Sequence, residues 1–185
     1  MFNQVFNKRR VLITGHNGFK GSWLAQWLSL LGAEVHGLSV NPPTNPNHWS
    51  HLNLKIESEH NIDISIFDDL EKALLEIKPE IIFHLAAQSL VKEGFRSPLK
   101  TWRTNLMGTA NLIECSYKLD SLKAIVVVTT DKCYENQEWL YGYRETDKLG
   151  GKDPYSASKA SCELLVESYR NNFLKSKKIK IATAR

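Results

Sequence analysis

The chain has 185 residues, of which 42% are hydrophobic and 24% charged, the balance of one folded domain with a sizeable core. No apolar run approaches the roughly 20 residues that cross a bilayer, and Val11-Leu12-Ile13 is too short for the core of a signal peptide. The net charge is only +4, part of it in Lys8-Arg9-Arg10 and in the 175–180 segment beside predicted strands; this reads as solvated surface and not as a nucleic-acid footprint, while a modest positive potential suits an anionic nucleotide.

Val11-Leu12-Ile13-Thr14 reads as a strand, and Gly15-His16-Asn17-Gly18-Phe19-Lys20-Gly21 follows with glycines at three-residue spacing. Trp23, Leu24, Trp27, Leu28 and Leu31 then recur at three and four residues, the spacing of an amphipathic helix. Strand, tight turn and helix in this order present backbone N–H groups and a helix N-terminus to a pyrophosphate. Gly15 allows the turn, Gly18 the close approach of phosphate and Gly21 the packing of helix on strand. A dinucleotide site is expected here, with His16 a candidate phosphate contact.

A second strand spans Glu34 to Ser39, and a loop rich in proline, asparagine and histidine covers 41–51. Leu54 to Glu57 reads as a short third strand, followed by Asn61-Ile62-Asp63-Ile64. Ser65 is the expected cap of a helix through Ile77, with Leu70, Leu74 and Ile77 on one face. Pro79 ends it, and Ile81-Ile82-Phe83-His84-Leu85 is a strand in which His84 reads as a core histidine. After Ala86-Ala87-Gln88-Ser89 and an irregular stretch to Pro98, a long helix runs from Leu99 to Lys118. Ala124 to Val128 is an apolar strand, 129–152 is irregular, a helix spans Pro154 to Phe173, and Ile179 to Thr183 is the last strand.

Alternating strands and helices, with several continuous apolar strands, predict an α/β fold: a Rossmann-type doubly wound parallel sheet, covered by helices on both faces. Ligands of such sheets bind beyond the C-terminal strand ends, which here means Gly15 to Lys20, Ser39 to Asn41, Asp63, Ala86 to Ser89 and Thr129 to Tyr134. Arg185 directly follows a strand, so the chain is expected to be the incomplete N-terminal, cofactor-binding and catalytic part (1–185) of a larger protein, truncated before a substrate-binding domain. Cys115, Cys133 and Cys162 are too few and too scattered for a disulfide scaffold or a zinc site; a reducing, cytoplasmic setting without metal is expected.

Tyr155 and Lys159 stand at i and i+4 on one helix face. A nearby ammonium, together with an oxidised nicotinamide, favours the phenolate and lets tyrosine act as a base. Thr129-Thr130 closes a strand, and Thr130 is placed to hydrogen-bond the hydroxyl that Tyr155 deprotonates.

Gly15-x-x-Gly18-x-x-Gly21 with Tyr155-x-x-x-Lys159 resembles the extended short-chain dehydrogenase/reductase family. More narrowly, 16–24, Thr130-Asp131-Lys132-Cys133-Tyr134-Glu135-Asn136, 142–145 and Gly150-Gly151-Lys152-Asp153-Pro154-Tyr155 resemble the CDP-glucose 4,6-dehydratases. The resemblance implies NAD as a recycled cofactor, a sugar-nucleotide substrate (CDP-glucose), and a place in deoxysugar biosynthesis. It assigns Thr130, Asp131, Lys132, Tyr155 and Lys159 to catalysis: Tyr155 removes the C4 hydroxyl proton, Thr130 orients that hydroxyl, and Lys159 holds the ribose and tunes Tyr155. Asp131 protonates the departing C6 hydroxyl. Lys132 stands where dTDP-sugar relatives carry a glutamate that serves as the C5 base. A lysine does so only if burial or a neighbouring cation lowers its pKa; the alternative is that it stabilises the enolate.

The implied cofactor set is Gly15, His16, Asn17, Gly18, Phe19, Lys20, Gly21, Ser39, Asp63, Ile64, Leu85, Ala86, Ala87, Gln88, Asn105, Thr129, Tyr155 and Lys159. Within it Asp63 accepts from the adenine amine, Leu85 to Gln88 flank ribose and phosphates, and Asn105 matches the family's helix asparagine that holds the active-site backbone. The second strand lacks the acidic residue of the simplest NAD fingerprint: Ser39 and Asn41 are neutral, and no arginine stands there to favour NADP. Neither nucleic acid nor membrane is an expected partner, and a homodimer would use the helices of 99–118 and 154–173. A 4-epimerase or 4-reductase, or a non-catalytic dinucleotide-binding module, are the competing readings. The isolated chain is expected to be nearly inactive.

Overall fold

β1 (Arg10–Thr14) lies near the middle of a six-stranded sheet ordered β3-β2-β1-β4-β5-β6, with β2 (Glu34–Ser39), β3 (Ser58–Asn61), β4 (Ile81–His84), β5 (Ala124–Val128) and β6 (Lys180–Ala184). The computed structural model describes residues 2–42 and 44–185; Met1, and Pro43 within the predicted 41–51 loop, lie outside the described residues. Every pairing is parallel, and the strand order reverses between β1 and β4, the topological switch point of a Rossmann sheet.

Successive side chains on a strand point to opposite faces, and β1 shows it. Leu12 joins Leu38, Ile82 and Ile125 in a core closed by α3 (Phe67–Ile77), α6 (Gly108–Tyr117) and α7 (Pro154–Tyr169), through Leu70, Leu112 and Val166. Val11 and Ile13 face the other way, onto Val35 and onto Ala25 and Leu28 of α1 (Phe19–Leu30). The sheet is therefore wound on both faces, as the alternation of elements predicts. β5 is the partial exception: Ile125 and Val127 are buried, but Ala124, Val126 and Val128 are only half-buried.

Four local expectations are corrected. The third strand is Ser58–Asn61, not Leu54 to Glu57: Leu54 and Ile56 pack their side chains beneath the α1 layer, while the polar residues after them supply the backbone that pairs with His36 to Ser39. The loop over 41–51 contains the start of a short helix, α2 (His48–Leu52), capped by Asn47, whose side chain accepts the Ser50 N–H at 2.9 Å. Ser65 does not cap α3; its N–H is held by Asp63 Oδ1 at 2.8 Å, and the helix begins after Ile66 without a side-chain cap. Two acidic residues in its first turn, Asp68 and Asp69, stabilise that end against the helix dipole instead. The stretch before Pro98 forms α4 (Val91–Arg96), and the predicted long helix is α5 (Pro98–Trp102), a π turn (Arg103–Met107) and α6 in series. A second π turn, Arg170–Leu174, extends α7.

A Cβ on Gly21 would lie 2.0 Å from the Gly15 carbonyl oxygen, backbone against backbone. Gly21→Ala must therefore push α1 off the turn, and a loss of about 3 kcal/mol in urea denaturation is expected. Gly142→Ala, with nothing within 4 Å of the added carbon, is the control and should change stability by less than about 0.5 kcal/mol.

Candidate active site

β1 leaves the sheet between β2 and β4, and the turn that follows is built for that narrow exit. Gly15 has φ +76°, and a Cβ there would lie 2.8 Å from the Ala86 nitrogen. Its N–H donates to the Leu38 carbonyl at 2.7 Å, and the Gly18 N–H donates to the Gly15 carbonyl at 3.1 Å. α1 then starts with no side chain capping its N-terminus, so its first N–H groups face outward beside the exposed Phe19 and Lys20. Asn17 Nδ2 ties the turn to the end of β2 by donating to the Val40 carbonyl at 2.7 Å.

The His16 ring is not directed at a phosphate. It is 2% exposed, bonded through Nδ1 to Ser39 Oγ at 2.9 Å and through Nε2 to Glu59 Oε2 at 3.0 Å, with the Trp49 ring edge-on at 4.8 Å. What His16 offers a ligand is backbone, and the Ser39 hydroxyl is engaged by the same ring.

At the ends of β3 and β4 the side chains again fix the backbone. Asp63 forms the turn to Ser65, and Ile64 is buried against Gly108, where a Cβ would sit 2.6 Å from it. The Leu85 and Ala86 N–H groups donate to the Thr14 carbonyl and hydroxyl at 3.0 and 3.2 Å; Ala87 follows, half-buried. Asn105, in the π turn, accepts the Gln88 N–H at 2.8 Å and donates to the Gln88 carbonyl at 3.0 Å and to Ser158 Oγ at 2.9 Å. The helical register shift of a π turn is a recurrent feature of functional sites.

β5 ends in Thr129 and Thr130, and a 3₁₀ turn, Asp131–Cys133, follows. Thr130 caps the turn through the Lys132 N–H at 3.3 Å and donates to Asp131 Oδ1 at 3.0 Å. Asp131 and Lys132 are thereby exposed while Cys133 and Tyr134 are buried. Lys132 faces Asp153, the α7 N-cap, whose carboxyl burial pushes up but the Ser156 hydroxyl and N–H, with the Lys132 charge, hold below the usual range.

Lys159 is buried, and its Nζ donates to the Val128 carbonyl at 2.9 Å. Burial lowers its pKa, and the like charge of Lys20 adds to the shift. The chain's own groups do not lower Tyr155. Burial raises its pKa, the Thr130 hydroxyl opposes the shift, and the Asp131 and Asp153 charges raise it further; the Lys159 ammonium is turned to the β5 carbonyl instead.

Glu163, Arg185, Gly94 and Gly151 are site-building residues that the sequence reading missed. Glu163, one turn beyond Lys159, is 5% exposed and accepts from the Thr129 hydroxyl, from Thr183 Oγ1 at 2.8 Å and from Arg185 Nη2 at 3.0 Å. The Thr129 side chain is thus held away from any ligand. Arg185 also donates to the Tyr134 hydroxyl at 2.7 Å. Gly94 of α4 faces the Tyr155 nitrogen, 3.3 Å from where its Cβ would be, and a Cβ on Gly151 would lie 2.4 Å from the Ala157 nitrogen. A carboxylate four residues after a candidate Lys on the same helix was the available signal for Glu163. Trp139 and Tyr143 pack the loop on itself: Tyr143 stacks on Tyr134 at 5.1 Å, and Trp139 on Tyr141 at 4.6 Å.

These residues fit a dinucleotide. The α1 N-terminus is uncapped, and among the described residues the buried Lys159 ammonium, with three N–H donors, has the Val128 carbonyl as its one hydrogen-bond partner. Among the described residues no group of three His, Cys, Asp or Glu side chains is placed to hold a metal, and no helix is long and apolar enough to cross a membrane.

Residues 12–181 match the family described as GDP-mannose 4,6 dehydratase. A CDP-glucose 4,6-dehydratase of Salmonella typhimurium is 46% identical over 89% of this chain and 46% of its own length, and a GDP-mannose 4,6-dehydratase of Vibrio cholerae is 29% identical over 90% and 47%. The chain thus spans about half the length of these curated relatives. The UDP-glucose 4-epimerase of Thermus thermophilus, solved as a complex with NAD, superposes with a TM-score of 0.81 at 27% identity, over 95% of this chain and 54% of that one.

The Glu163 cluster has a pH signature. Burial pushes its carboxyl up, but Arg185 and the two threonine hydroxyls outweigh it and hold the pKa below 4.5. A carboxyl lowered on folding stabilises the native state above its unfolded pKa, and this is lost as pH falls through the folded value. Glu163→Gln is expected to cost about 3 kcal/mol at pH 7 and to flatten the part of the stability-against-pH curve below pH 4.5, as measured by urea denaturation across pH 3 to 7.

Proposed function

This chain belongs to the GDP-mannose 4,6 dehydratase family, and from that membership we propose that the full-length protein is a cytoplasmic, NAD-dependent sugar-nucleotide 4,6-dehydratase whose substrate is CDP-glucose. The observation that carries the reading is one edge of one sheet. The glycine turn, the Thr130-Asp131-Lys132 turn and the Tyr155/Lys159 face all stand at C-terminal strand ends. The 46% identity to the Salmonella CDP-glucose enzyme supports the choice of nucleotide.

When bound, NAD supplies a reversible two-electron acceptor beside the sugar. The uncapped α1 N-terminus and the 15–21 backbone hold its phosphates, the Leu85 to Gln88 backbone flanks them, and Lys159 holds the ribose. Tyr155 takes the C4 hydroxyl proton while Thr130 orients that hydroxyl. Once C4 is a ketone, the C5 proton is acidic; it passes to water at this exposed turn, and the Lys132 ammonium stabilises the enolate that forms. Asp131 donates a proton to the C6 hydroxyl, which departs as water. The hydride that leaves C4 for bound NAD would return to C6 once the water has gone, so the product is CDP-4-keto-6-deoxyglucose, an intermediate suited to deoxysugar and O-antigen assembly. A homodimer would use the outer face of α5, the π turn, α6 and α7, where Leu99, Met107 and Leu164 are exposed.

The test is mass spectrometry of CDP-glucose incubated with the full-length protein and NAD. A product lighter by one water is expected. Tyr155→Phe should lower kcat by about 10³-fold and Asp131→Asn by about 10²-fold, with the Kd for NAD changed less than about twofold in the Asp131 variant. An isomer of unchanged mass, insensitive to Asp131→Asn, would instead establish a 4-epimerase. A turnover indifferent to Tyr155→Phe would leave a binding module.

A further inference from the structure

Thr14 and His84 are register partners on β1 and β4, in the last layer of side chains beneath the strand ends. The direction of each hydrogen bond around them is fixed from one end. Thr109 Oγ1 donates to the Asn105 carbonyl at 2.6 Å, so toward His84 Nε2, 3.0 Å away, it accepts. The imidazole proton is therefore on Nε2. His84 Nδ1 accepts the Thr14 hydroxyl at 2.7 Å, and Thr14 Oγ1 accepts the Ala86 N–H at 3.2 Å.

Beyond Thr109 the chain continues through Asn105, which holds both backbone groups of Gln88 and donates to Ser158 Oγ. Ser158 in turn donates to the Tyr155 carbonyl at 2.7 Å. His84 is 2% exposed, and burial, reinforced by the Lys159 charge, pushes its pKa down to about 3. The neutral ring that this chain requires is thus the form present at ordinary pH.

Three polar side chains occupy a layer that valine and an apolar ring would fill without any hydrogen-bonding requirement. A buried network of this kind adds little net stability over apolar packing, yet every member must be in place for any to be satisfied. Its return is a defined position. We infer that His84, with Thr14 and Thr109, is a positioning element that registers the Ala86 strand end of the dinucleotide site to the catalytic helix, so that cofactor affinity depends on this buried hydrogen-bond chain. The inference rests on the dinucleotide reading of the glycine turn.

Calorimetric titration of the full-length protein with NAD tests it, using Thr14→Val, Thr109→Val and the rescue variant Thr14→Ser. The two valine variants break the chain from opposite ends without changing shape. Each is expected to raise the Kd for NAD about tenfold, and Thr14→Ser to return it to within about twofold of wild type. Thr109 stands on α6, away from the glycine turn, so its variant decides the matter if Thr14→Val does not fold. Folded valine variants with wild-type Kd overturn the inference and leave the dinucleotide reading intact, since a purely structural role moves stability alone. A wild-type protein that fails to bind NAD overturns both.

Discussion

The parallel register of β1 with β4 is the constraint on which the rest of the edge depends. It brings Thr14 opposite His84 and makes the chain leave β1 through a gap bounded by Leu38 on one side and Ala86 on the other. A side chain at position 15 has no room there, which is why the residue is glycine with a left-handed φ. The same exit direction aims α1 so that its uncapped N–H groups lie at the switch point of the sheet, the place where parallel sheets bind nucleotides. Gly21 completes the constraint from the helix side by letting α1 rest directly on the Gly15 carbonyl.

The helix that carries Tyr155 and Lys159 is secured by a second set of contacts. Asp153 caps its first turn through the Ser156 N–H at 3.0 Å. Ser158 is held by Asn105, Lys159 by the Val128 carbonyl, and Glu163 by Thr129, Thr183 and Arg185. These anchors reach several different elements, so α7 cannot rotate or slide without breaking a buried polar contact, each of which is costly to leave unmade. Tyr155 gains a fixed position from these neighbours.

The fold was legible because its signal is periodic. Leu70, Leu74 and Ile77 mark the α3 face, and Ala124 to Val128 the apolar β5 strand, with no help from tertiary context. What failed to show were features set by partners distant in sequence. β3 pairs through its backbone beside β2, and nothing in Ser58-Glu59-His60-Asn61 announces it; the apolar Leu54 and Ile56 drew the strand assignment because their burial under α1 resembles strand alternation. The six-residue α4 has too few turns to establish a period, and its Gly94 is explained only by the approach of Tyr155. At the site, residue types and spacing identified the turn, the Tyr/Lys pair and the carboxylate-lysine run. They did not reveal that His16, Ser39, Ile64 and Thr129 direct their side chains into the protein, since burial of a polar group is decided by its partners.

The electrostatics of Tyr155 bear on how such a site avoids idle proton transfer. The Lys159 ammonium is engaged with the Val128 carbonyl, and burial with two nearby carboxylates holds Tyr155 above its ordinary value. The chain's own groups therefore favour the neutral phenol. Positive charge brought beside the phenol would act in the opposite direction. Lys159 is prepared for a complementary role: its own pKa is lowered by burial and by Lys20, so an electron-rich partner that replaces the lost hydration is stabilised most where that desolvation is already complete.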